Sequence, residues 1–118
     1  MPIIFPRALV QTLLAGAQDV PDRQRIGLLY GTDLTHARVH WATDNEPLNM
    51  LLTRHADALA TLITHPDTPP IPTAADQAQP RPPSQLLIIA SLQTRGVLEM
   101  RAFDHSVTDD NGLPITLF

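Results

Sequence analysis

The chain has no cysteine, no lysine and, among twelve acidic residues, only two glutamates, Glu46 and Glu99. The missing cysteine excludes disulfides, iron–sulfur clusters, thiolate zinc sites and cysteine nucleophiles. The missing lysine excludes Schiff-base chemistry and a P-loop lysine. All eight basic residues are arginines, none of them clustered, and the net charge is −4. Nucleic acid is therefore not an expected partner, because phosphate binding needs concentrated positive charge. No apolar run approaches the roughly 18–20 residues of a membrane span. The start, MPIIFPRALV, lacks the apolar region of a signal peptide. These absences describe a cytoplasmic protein without a membrane partner. Any mechanism that needs a glutamate has two candidates.

What is present fits one domain. The 118 residues are 43% apolar and 17% charged, enough for a hydrophobic core without staples. Residues 6–18 read as a helix, with Pro6 at its first position and Leu9, Val10, Leu13, Leu14 and Ala17 on one stripe. Ile26–Tyr30 reads as a buried strand ended by Gly31. Thr35–Thr43 alternates, with Ala37, Val39 and Trp41 on one face and His36, Arg38 and His40 on the other, so the two segments form an expected hairpin. Helical spacing returns at Leu48, Leu51, Leu52, His55 and Leu59; residues 58–64 could end that helix or begin a new strand, and a strand is placed over 59–64 because a proline follows His65 and ends any helix there. Residues 66–83 hold seven of the twelve prolines and read as a stiff surface loop, with Thr73 as N-cap of one short helical turn. Leu86–Leu92 reads as a strand buried on both faces. Val97–Asp104 alternates and pairs with it, and Leu113–Phe118 is a candidate edge strand. The order predicts a single α+β domain over 1–118, its mostly antiparallel sheet flanked by helices.

Candidate chemistry centres on histidine. His36 and His40 share a face of the expected strand, His55 lies on the second helix's stripe, and His105 has no partner in sequence. His65 ends a strand, precedes a proline and opens the long loop, and Asp76 follows eleven residues later. A histidine and an aspartate so placed can converge on one zinc ion, but a catalytic zinc usually takes three protein ligands. The same two side chains can also form an ordinary hydrogen-bond network.

Thr64-His65-Pro66 followed by Pro72-Thr73-Ala74-Ala75-Asp76 resembles the signature of the JAMM/MPN-domain (JAB-type) metalloproteases, His-x-His-Pro and then Ser-x-x-Asp. Arg25–Gly31 resembles that family's first strand, and Leu86–Leu92 and Val97–Phe103 resemble the strands after its metal box. The resemblance spans about residues 3–105. It implies an MPN/JAMM-like domain and, for active members, a zinc hydrolase. There two histidines and an aspartate hold the ion, a glutamate takes the proton of the bound water, and the serine steadies the tetrahedral intermediate. Substrates include ubiquitin-like and sulfur-carrier proteins.

Carried over residue by residue, His65 falls on the second zinc histidine, Asp76 on the aspartate and Thr73 on the serine. The first zinc histidine falls on Ile63, which coordinates nothing. The catalytic glutamate falls on Gln24, which cannot accept a proton at neutral pH, and neither Glu46 nor Glu99 lies nearby in sequence. Losing a general base commonly costs about 10²–10⁴ in rate. The expectation is a catalytically inactive, MPN-minus-like module for protein interaction or scaffolding, with zinc bound weakly if at all. The partner expected is a protein, of ubiquitin-like or sulfur-carrier type or a second copy of the chain. Two alternatives stand beside it. One is a zinc metallo(iso)peptidase with rearranged ligands, drawing on His36, His40 or His55 and on Asp22 as base. The other is a ligand- or peptide-binding domain using the cleft at His65.

Overall fold

The computed structural model of the chain describes residues 3–19, 23–43, 45–82, 86–92, 99–103, 112 and 115–117. Its elements, in order, are β1 (Ile3–Phe5), α1 (Arg7–Asp19), β2 (Ile26–Tyr30), a 3₁₀ turn (Leu34–His36), β3 (Arg38–Trp41), α2 (Leu48–Arg54), β4 (Ala58–His65), α3 (Ala74–Gln77), β5 (Leu87–Ser91), β6 (Glu99–Phe103) and β7 (Ile115–Leu117). Five strands make the main sheet in the order β3-β2-β4-β5-β6, and only β4 and β5 run parallel within it. This is the expected α+β domain.

Side-chain alternation gives the sheet two buried faces. On one, Leu29, Ala60, Leu62, Ile88 and Ala102 meet Leu9 and Leu13 of α1 and Phe5 of β1. The helix supplies that stripe because residues four apart stack on one side. Trp41 passes so close to α1 that a Cβ on Gly16 would lie 2.3 Å from its indole nitrogen, so only glycine fits there. On the other face, Leu28 packs against Leu48 and Leu51 of α2, while Ile63, Leu87, Ile89 and Phe103 form a second cluster. Glu99 and Arg101 share this second face with Phe103, so that side of β6 is partly core.

Three expectations are revised. His36 is not in a strand. Asp33 caps its backbone N–H at 3.0 Å and holds Leu34–His36 in a 3₁₀ turn. Strand β1 was not expected at all. The tail strand pairs with β1 in a separate parallel ribbon, Ile3 opposite Ile115, and does not extend the main sheet. Asp22, His105 and residues 93–98 lie outside the described residues. Among the described residues no helix is long and apolar enough to cross a membrane.

Candidate functional site

The site is built at the end of β4. Parallel pairing with β5 fixes the last residue, His65, opposite Ser91, and Leu92 N–H donates to the His65 carbonyl at 3.0 Å. Ile63 and His65, two apart, point to the same face. On the neighbouring strand's approach, Arg25 N–H donates to Thr64 Oγ1 at 2.6 Å and Thr64 N–H to Arg25 O at 2.9 Å. The Arg25 guanidinium also lies 4.7 Å over the Trp41 ring and donates to Gly16 O at 2.7 Å. These contacts set the position of Gln24.

The proline-rich loop brings the other half. It is tied down by Ser91 Oγ, donating to Thr68 O at 2.6 Å, and by Thr61 Oγ1, donating to Pro80 O at 2.8 Å. Within it α3 begins as expected at Thr73. Thr73 Oγ1 accepts from Asp76 N–H at 3.1 Å, and Thr73 N–H donates to Asp76 Oδ2 at 2.9 Å, a reciprocal capping box.

His65 and Asp76 meet. His65 Nε2 lies 2.7 Å from Asp76 Oδ2, and both residues are only 3% exposed. His65 Nδ1 lies 2.7 Å from Pro69 O. A carbonyl only accepts, so Nδ1 is the donor in that contact. The short distance between Nε2 and the carboxylate is that of a charge-assisted bond. Gln24 Nε2 reaches the other carboxylate oxygen, Asp76 Oδ1, at 3.5 Å from an exposed position. Ile63 is 1% exposed among Leu87, Ile89, Phe103 and Ile26.

The remaining candidates stand elsewhere. His36 pairs with Asp33 at 2.9 Å, and this hydrogen bond holds the Asp33 carboxyl below the ordinary aspartate value. His40 Nε2 lies 3.3 Å from Glu46 Oε1, and His55 sits between Tyr30 and His40, with ring centroids 4.4 and 5.8 Å away. The Glu46 carboxyl is held below the usual glutamate value, first by the Thr43 hydroxyl, then by the Thr43 N–H and His40, while burial pushes the other way. Glu99 lies opposite Ser91, which lies opposite His65, so two strand spacings, roughly 9–10 Å, separate the Glu99 and His65 backbones.

The donor set does not fit a catalytic zinc. His65 and Asp76 offer two ligand atoms, Ile63 offers none, and Gln24 presents an amide where a carboxylate is required. Among the described residues no three histidine, aspartate or glutamate side chains are placed to hold one metal ion. No hydrolytic step is derived through zinc for this chain.

One feature was not legible in sequence. A cleft of about 560 Å³ lies between the start of α2 and the end of α3, bordered by Arg23, Gln24, Thr43, Glu46, Asn49 and Gln79. It is formed by segments distant in sequence. His65 and Asp76 do not line it; they lie behind Gln24. The buried hydroxyls of Thr61 and Ser91, which fasten the loop, were also missed, although a hydroxyl inside an apolar strand is the signal of such a bond.

The sheet and its flanking helices form an MPN/JAMM-type fold, as the likeness to solved structures shows. Solved structures with this fold match the whole chain. A protein described as a JAMM metalloprotease-like zinc site in the proteasome and signalosome aligns over 98% of this chain and 99% of its own, with 14% identity and a TM-score of 0.63. A Desulfitobacterium hafniense protein determined in solution aligns over 100% and 93%, with 23% identity and a TM-score of 0.66. A JAB1/MPN domain protein from Archaeoglobus fulgidus aligns over 98% and 97%, with 15% identity and a TM-score of 0.54. No family model matches the sequence, and no curated protein matches it. At these identities the likeness is one of fold.

Proposed function

We infer that the chain is a catalytically inactive MPN/JAMM-like domain that acts in the cytoplasm as a protein-interaction module. The observation that carries this reading is the joint state of four positions. His65 and Asp76 are bonded to each other, Ile63 is core, and Gln24 is an amide turned toward Asp76. A hydrolase needs a third ligand and a base, and both replacements are of the wrong chemistry. Rearranged ligands gain no support, since His36, His40 and His55 each stand with other partners.

The surface best shaped for a partner is the cleft beside Gln24. Its rim mixes Arg23, Glu46, Asn49 and Gln79, suited to polar contacts with an extended peptide segment. A ubiquitin-like or sulfur-carrier protein is the partner class of first choice, by fold analogy alone.

The test pairs two measurements. Purified protein given zinc is incubated with fusions of ubiquitin-like and sulfur-carrier proteins, and its metal content is measured. The expected result is no cleavage and no stoichiometric zinc. Titration of the same carriers into labelled protein should shift backbone signals of Arg23, Thr43, Asn49 and Gln79. Cleavage with zinc bound at one equivalent would overturn the inactive reading, and unmoved signals would remove these partners.

A further inference from the structure

A buried histidine–aspartate pair is costly unless it is fully bonded, and this one is bonded on every side. His65 touches the loop twice, at the Pro69 carbonyl and at Asp76, so its ring bridges the loop's first turn and its short helix. A four-residue helix does not hold by itself, because nucleation costs more than one turn returns. Here the capping box closes its start, and His65 anchors the capping aspartate to the sheet.

We propose that His65, Asp76 and Gln24 form a metal-independent clasp that fastens the proline-rich loop to β4, and that Gln24 and Ile63 are the residues that suit the chain to this closed state. The clasp deepens the inactive reading, on which it rests in one respect, that no zinc holds the loop. In a zinc site the ion links histidine to aspartate. Two donors each about 2.0–2.1 Å from a tetrahedral ion lie roughly 3.3 Å apart. An ion would therefore have to break the 2.7 Å bond seen here. The Gln24 amide donates toward Asp76 Oδ1, whereas a carboxylate in its place would face a second anion with no cation between them. A histidine at residue 63 would bury an imidazole among Leu87, Ile89 and Phe103.

Thermal unfolding of the full chain tests the clasp, in EDTA and in a tenfold excess of zinc chloride. The wild-type midpoint should agree within about a degree in the two conditions. Asp76→Ala should lower it by roughly 10 °C or more, the size expected when one partner of a buried pair is removed. Gln24→Glu, at an exposed position, should lower it by roughly 2–5 °C in EDTA. If Asp76→Ala does not fold, hydrogen exchange of residues 73–77 in the wild type serves instead, with equal protection expected with and without EDTA. A wild-type midpoint or protection that depends on zinc would overturn the clasp and the inactive reading together. Indifference to zinc combined with an unchanged midpoint in Asp76→Ala would overturn the clasp alone. A midpoint in EDTA that Gln24→Glu leaves unchanged or raises would remove Gln24 from it.

Discussion

Two carboxylates contrast in their surroundings, one sealed and one half-buried. Asp76 is closed off by His65 and Thr73, whereas Glu46 gathers partners at the rim of the cleft. Thr43 Oγ1 donates to Glu46 Oε1 at 3.0 Å, His40 lies at 3.3 Å, and Arg54 donates to Oε2 at 3.4 Å. These contacts favour the ionised form, so the folded-state pKa lies below that of the unfolded chain. The sign follows from linkage: the stability Glu46 contributes is present above its unfolded pKa and is lost as pH falls through its folded pKa. In an NMR titration the Glu46 carboxyl should therefore reach its midpoint below that of an ordinary glutamate. Thr43→Ala should move that midpoint upward, because it removes the largest cause. A midpoint that stays put in Thr43→Ala would show that His40, not Thr43, sets it.

Elements show where local chemistry decides and where it is overruled. Thr73 is legible as an N-cap from Thr-x-x-Asp alone, because the cap bonds close within four residues. Thr73→Ala should cost about 0.5–2 kcal/mol in denaturant unfolding, and Thr73→Ser should restore most of it. A serine variant as unstable as the alanine would mean that the methyl packs and the hydroxyl does not cap. Strands β2 and β5 were legible as continuous apolar runs that need cover on both faces, and β4 only because the proline after His65 ends any helix there. His36 was misplaced because apolar alternation continues through it, yet Asp33 captures its backbone N–H first. Ribbon β1–β7 was out of reach, because three-residue strands carry no periodicity and their pairing joins opposite ends of the sequence. At the site, His65 and Asp76 were legible from spacing and resemblance. The cleft was not, since Gln24, Glu46 and Gln79 come together only through the fold.

For the whole molecule, β4 is the axis on which site and stability meet. It lies at the centre of the five-strand sheet and is buried from Ala60 to His65. Ile63 thus has two consequences, filling the core and leaving a ligand position without a donor. Ile63→Ala should destabilise by about 2–5 kcal/mol, the range for a buried isoleucine truncated in a packed core. Denaturant unfolding reads this directly, and a loss under 1 kcal/mol would mean that the second cluster collapses around the gap.

The β1–β7 ribbon bears on how the domain takes a load. The two strands run parallel, with Ile3 beside Ile115 and Phe5 beside Leu117. Tension applied from residue 3 and from residue 117 drags the adjacent strands in opposite directions along their length. Their hydrogen bonds are then sheared together and not peeled one by one. The three residue pairs of the ribbon then share such a load at once.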